Sequence, residues 1–259
     1  MRFYLSLFFL CWINLHASFT KDFHSAQIFA RSHQMPMALF FTGSDWSLES
    51  KQLIDVLSRG ELYPEFVCVL IDYPENNFQS EENCLQNHHL LQKFKIDVFP
   101  TIILFDSEKK EMMRCCYPIL GVEDFEGFLI SRKQEYDRLN RKLKYGVDGK
   151  DSTLLMDIFT QARKIGAYHL ASKAAHQGAV SNDELLLEEY ILDKSANLRK
   201  QYRDKLRQSS DHRVLMRLAL IDYQKDGQIS DLKKAFDKHA PFHSQEWCEK
   251  MQRFLEGQL

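Results

Sequence analysis

Between Lys21 and Tyr136 the hydrophobic pattern switches repeatedly between a helical period and short, uninterrupted apolar runs. The order is helix, strand, helix, strand, helix, strand, strand, helix. No other feature constrains the chain as tightly, because strands that are apolar throughout need cover on both faces. The first helix is KDFHSAQIFARSHQ (21–34), with Phe23, Ala26, Ile28, Phe29 and Ala30 near one face and Pro36 ending it. MALFFT (37–42) and FVCVLID (66–72) are buried strands. They flank a helix whose apolar positions run imperfectly from Leu48 to Leu57 and stop at Gly60. YPENNFQSEENCLQNHH reads as a polar loop that feeds a helix carrying Leu90, Leu91 and Phe94. TIILFD and EMMRCCYPIL, joined by the turn SEKK, form an antiparallel hairpin. VEDFEGFLISRKQEY then closes this half as a helix with Phe125, Phe128 and Leu129 inward.

From about Val147 to Leu259 the period is helical throughout. TLLMDIFTQARKIG and AYHLASKAAHQG each end on glycine, SNDELLLEEYIL begins with a cap signature, and SQEWCEKMQRFLEGQL finishes the chain on a Trp247, Met251, Phe254, Leu255 stripe. Six or so short amphipathic helices imply stacked helical hairpins, without a fixed repeat period. Charge divides the chain at the same place. Residues 1–136 hold 12 Lys+Arg against 18 Asp+Glu, and 137–259 hold 22 against 18, so the halves carry −6 and +4 and sum to the net −2. The expected organisation is therefore a leader over 1–18, an α/β domain over 19–140 and an all-helical domain over 147–259.

The leader is read from MRFYLSLFFLCWINLHAS. Arg2, an apolar core from Phe3 to Ile13 and small residues at Ala17 and Ser18 have the layout of a secretory signal peptide, with cleavage expected near Ala17 or Ser18. The run is shorter than the roughly 20 residues that span a bilayer, and no later segment is long enough. An uncleaved anchor is the alternative. An exported product would be periplasmic or in the cell envelope, without an integral span. It would keep Cys68, Cys84, Cys115, Cys116 and Cys248, an odd number, so that one thiol stays free or bonds elsewhere. No pair has Cys-x-x-Cys spacing. Neither zinc nor any other metal or cofactor is expected: His88 and His89 beside Cys84 read as solvated side chains.

Two stretches carry a family likeness. DVFPTIILFD places Pro100 at the mouth of a strand, after Phe99 and before Thr101, and FFTGSDWSLESKQL (40–53) reads as strand, tight turn and helix. Here the sequence resembles the thioredoxin family, over about Lys21 to Tyr136. The resemblance implies a β-α-β unit joined to a β-β-α unit, and a cis proline entering the third core strand. FTGSDW is similar to the approach to the active-site helix of exported thioredoxin-like proteins and disulfide isomerases, where Trp-Cys-x-x-Cys-Lys follows. By that alignment Ser47 and Ser50 stand at the two cysteine positions and Lys51 still follows.

The substitution matters chemically. Disulfide exchange needs a thiolate, which a helix N-terminus favours. A serine hydroxyl is a far weaker acid, and oxygen cannot take the place of sulfur in a disulfide. A serine nucleophile would need a base and an oxyanion site, and no Gly-x-Ser-x-Gly motif supplies them. The plainer reading is that Ser44, Asp45 or Ser47 caps the helix. Of the cysteines, Cys68 reads as a core residue. Cys115 and Cys116 point to opposite faces of a strand, and Cys84 in the polar loop is the best candidate for an exposed thiol.

NLRKQYRDKLRQ holds Arg199, Lys200, Arg203, Lys205 and Arg207. A near-zero net charge and export argue against nucleic acid, leaving a solvated helix face. The expected function is polypeptide binding in a groove lined by Trp46, Phe99 and Pro100, as a folding or assembly factor without redox chemistry at the usual site. One alternative is a thiol–disulfide oxidoreductase or isomerase using other cysteines. The other is a scaffold that acts through its helical domain.

Overall fold

The computed structural model describes residues 20–58, 65–76, 79–117, 124–146, 151–192 and 195–257. The expected signal peptide, the stop at Gly60, the last residues of the EMMRCCYPIL strand and Val147 lie outside the described residues. The chain divides into two compact units, 1–133 and 134–259.

In the first unit a four-stranded sheet has the order β2-β1-β3-β4, with β1 at Met37–Thr42, β2 at Val67–Asp72, β3 at Thr101–Phe105 and β4 at Glu111–Cys116. β1 runs parallel to β2 and antiparallel to β3, and β4 returns antiparallel to β3 across a register shift at Leu104 and Phe105. Every residue of β1 and β3 is buried, as continuous apolar runs at the centre of a covered sheet require. The helices that interleave with these strands are α1 (Phe23–Ser32), α2 (Leu48–Ser58) and α3 (Glu81–Phe94). One core joins Leu39, Phe41, Ile71 and Ile103 of the sheet to Phe23, Ala26 and Ala30 of α1 and Leu90 of α3. On the other face Phe40 meets Phe125 of α4 (Phe125–Arg141), ring centroids 6.5 Å apart.

Two expectations change here. Ile28 and Phe29 are exposed, because only positions 23, 26 and 30 of α1 fall on the strip that meets the sheet. Cys84 lies in the first turn of α3 rather than in the loop before it. Ser80 caps that helix, its Oγ accepting the Asn83 N–H at 3.3 Å, and Glu81 and Glu82 in the first turn suit its positive end.

The second unit contains the end of α4, a π turn at Lys142–Gly146, and α5 (Ser152–Lys164), α6 (Tyr168–Gly178), α7 (Asp183–Leu192), α8 (Ala196–Leu206), α9 (His212–Asp226), α10 (Ile229–His239) and α11 (Gln245–Leu255). Local chemistry sets their starts: Asp151, Asn182, Asp211 and Ser244 each accept a first-turn backbone N–H. Three helices are tied by one carboxylate. Glu188 of α7, buried, accepts from Arg217 of α9 at 2.6 Å and from Arg163 of α5 at 3.2 Å.

The cations of α8 are largely engaged within the unit. Arg203 pairs with Asp222 at 2.6 Å, Lys205 donates to the Ala179 and Val180 carbonyls, and Arg199 lies over the Tyr190 ring. Intramolecular contacts of this kind are what a structural basic helix makes.

Candidate functional site

The turn after β1 is built from side chains that accept backbone N–H groups. Ser47 and Trp46 donate their amides to the Gly43 carbonyl at 2.9 and 3.3 Å, closing the turn. A Cβ on Gly43 would lie 2.2 Å from the Trp46 indole, so glycine is required by that close approach. Ser47 is the cap of α2: its Oγ accepts the Ser50 N–H at 3.1 Å, and its hydroxyl donates to Glu49 Oε2 at 3.3 Å. Ser50 is fully buried and reaches back across the turn, its Oγ accepting the Gly43 N–H at 3.0 Å. Both hydroxyls therefore hold the backbone in place.

A second set of bonds ties this turn to the segment after β2. Asp72 accepts from Thr42 Oγ1 and the Ser44 N–H, both at 2.9 Å, and from Ser44 Oγ at 2.5 Å. Asp45 accepts the N–H groups of Glu75 and Asn76 at 2.9 and 2.6 Å. Trp46 Nε1 donates to the Tyr73 carbonyl at 2.9 Å, which fixes the indole plane. Sequence reading missed Asp72 and Tyr73 as site residues. Their partners lie about thirty positions away, and no local pattern announces such a bond.

Opposite, the Phe99–Pro100 peptide is cis. Thr101 Oγ1 donates to the Val98 carbonyl at 2.6 Å, and the Tyr117 N–H donates to the Pro100 carbonyl at 3.2 Å. Trp46 and Phe99 meet edge to face, centroids 5.3 Å apart with an interplanar angle of 73°. Together they form one wall of an open groove of about 610 Å³, whose other lining includes Tyr73, His88, Leu91 and Lys95. Trp46 is 41% exposed, whereas Phe99 is half-buried and also packs on the sheet core. Pro100 and Ser47 are buried, and the wall is aromatic rather than hydroxylic.

The thiols are dispersed. Burial pushes Cys68 up to about 12; burial, then the neighbouring Cys116, pushes Cys115 to about 12 as well. Neither is a nucleophile near neutral pH. Cys84 and Cys116 are exposed, and Cys248, half-buried, donates to the Ala240 carbonyl at 3.3 Å. The carboxylate beside Ser47 is too weak a base to make an alkoxide. Among the described residues no group of three or more His, Cys, Asp or Glu is gathered to hold a metal ion. No described helix is long and apolar enough to cross a membrane.

A β-α-β unit followed by a β-β-α unit, with a helix starting in the turn after β1 and a cis proline opening β3, defines a thioredoxin-like domain. Here it is followed by an all-helical unit. Among known proteins the chain is similar to "Disulfide bond reductase DsbH" of Chlamydia pneumoniae, 30% identical over 90 residues, which is 33% of this chain and 54% of that protein. It is also similar to "Thioredoxin-related protein DsbJ" of Chlamydia pneumoniae, 31% identical over 103 residues, which is 36% of this chain and 28% of that one. The chain thus spans about half the length of the first relative and under a third of the second. These likenesses support a thioredoxin-like family. A solved structure titled "DsbH Oxidoreductase" aligns with a TM-score of 0.38 at 23% identity, over 49% of this chain and 90% of that one. No family model matches.

Proposed function

We propose that this chain is an exported thioredoxin-fold protein of the cell envelope that binds extended polypeptide through the groove beside Trp46 and Phe99, and that it carries out no disulfide chemistry at Ser47 and Ser50. One observation carries the proposal: both hydroxyls are committed to backbone N–H groups within a tightly tied turn, while the aromatic wall next to them stays open. Cap and lock are structural tasks that oxygen performs well, whereas thiol exchange is one that it cannot perform. An extended client segment would pair its backbone near Phe99 and lay apolar side chains against the rings, a mode that needs no covalent bond. Export rests on the leader read from the sequence.

The relatives' printed names favour a second reading, a disulfide reductase or thioredoxin-related enzyme. In this chain it would have to run through Cys84 or Cys116, the exposed thiols. Reduction of insulin disulfides separates the two. The unaltered protein is expected to act no faster than a thiol-free control, and the double variant Ser47→Cys, Ser50→Cys is expected to gain activity. Turnover by the unaltered protein that is lost on Cys84→Ser or Cys116→Ser would establish the enzyme reading instead.

A further inference from the structure

One end of the helical unit gathers three histidines, Phe242 and Cys248. His212 opens α9 and His239 closes α10, and their Nδ1 atoms are 2.8 Å apart. At that distance one ring donates an N–H and the other accepts it. His239 is buried. The His212 ring lies flat on Phe242 of the short 3-10 turn at Ala240–Phe242, centroids 3.5 Å apart. His243 stacks on Trp247 at 4.2 Å, its Nε2 buried without a hydrogen-bond partner. Cys248 of α11 donates to the Ala240 carbonyl, so the junction after α10 is held from two sides.

We propose that the His212–His239 pair is a proton-operated latch that holds the end of α10 and the following turn against α9 near neutral pH and releases them in mild acid. The proton count gives the mechanism. A neutral pair keeps one Nδ1–H···Nδ1 bond, and so does a pair carrying one extra proton. A second extra proton leaves two N–H groups facing each other with no acceptor between them, and two positive rings at close range.

Burial and the nearby positive groups push in the same direction. Lys238 on α10 and His243 beyond the turn add positive charge near His239. Arg213 follows on α9, and the Asp211 carboxylate is occupied by the Arg213 and Val214 N–H groups and the Arg213 guanidinium. The negative end of α10 acts the other way, favouring a charged His239, and is outweighed by burial and these charges. Burial first, then the charges of His212, Lys238 and His243, hold His239 below its ordinary value of 6.5. A depressed histidine contributes stability that is present above that value and is lost as pH falls below it toward the folded-state pKa.

Hydrogen–deuterium exchange on the full-length chain, corrected for the intrinsic effect of pH, tests this. Between about pH 7.5 and about pH 5.5, protection over 236–250 is expected to fall about tenfold, the factor for one unit of differential protonation, while 155–175 holds steady. In His239→Asn the 236–250 segment is expected to be weakly protected at both pH values; His212→Gln gives a second variant should the first fail to fold. Protection over 236–250 that is constant in the unaltered chain, or that falls equally in the variants, overturns the latch. So does a loss of protection on adding a chelator at neutral pH, which would mark the pair as metal ligands.

Discussion

Ser47 and Ser50 are joined by a hydrogen bond from the Ser50 N–H to Ser47 Oγ at 3.1 Å, and the Ser50 hydroxyl in turn accepts the Gly43 N–H at 3.0 Å. The two side chains, which the sequence resemblance aligns with the cysteine positions of thioredoxin-like enzymes, are parts of the backbone scaffold. Each has a measurable structural value.

Ser50→Ala leaves the Gly43 N–H without its partner in a buried turn and is expected to cost about 1–3 kcal/mol. Ser47→Ala removes a helix cap and is expected to cost about 1 kcal/mol. Urea unfolding with an unchanged m value checks both. A Ser50→Ala variant as stable as the parent would mean that the bond across the turn contributes nothing.

Thiol accessibility gives a second expectation. With Cys68 and Cys115 held near 12 by burial, a disulfide reagent at about pH 8 should label Cys84 and Cys116 quickly in the folded protein, and Cys68 and Cys115 only on unfolding. Peptide mapping of the labelled sites reads the order. Rapid modification of Cys115 would contradict its largely covered position in β4.

In the helical unit, Glu188→Ala removes the carboxylate shared by Arg163 and Arg217. Because both arginines are about half exposed and stay solvated once the buried carboxylate is gone, the loss is expected to be about 1.5–3 kcal/mol. Thermal unfolding of the variant, compared with Arg163→Ala, measures it. Equal and negligible shifts in both would reduce the triad to a surface ion pair.

The fold was legible because β1, β2 and β3 are continuous apolar runs set between helical periods, and because the Phe99-Pro100-Thr101 stretch stands at the mouth of a strand. The site was less so. Trp46 and Phe99 could be named from sequence, but their contact depends on Asp72, Asp45 and the Tyr73 carbonyl fixing the turn after β1, through bonds that join residues 27 to 31 positions apart. Periodicity also overstated the α1 face. It counted Ile28 and Phe29 as inward, although a helix on a sheet buries a narrower strip. The extension of α4 beyond Tyr136 to Arg141 carries a single apolar residue, the buried Leu139, among four polar ones, too little to show a period. The His212–His239 contact joins two helix ends that no pattern relates.

The most direct test of the account is the affinity for a reduced and alkylated polypeptide, which has no sulfur available for exchange. Fluorescence anisotropy with the unaltered protein is expected to show binding. The Trp46→Ala, Phe99→Ala variant should bind about tenfold or more weakly, the loss of a central aromatic anchor, with its helical content preserved and its melting midpoint little changed. Undiminished binding by that variant, together with loss of binding when residues beyond about Val147 are deleted, would contradict the account and place the working surface in the helical unit.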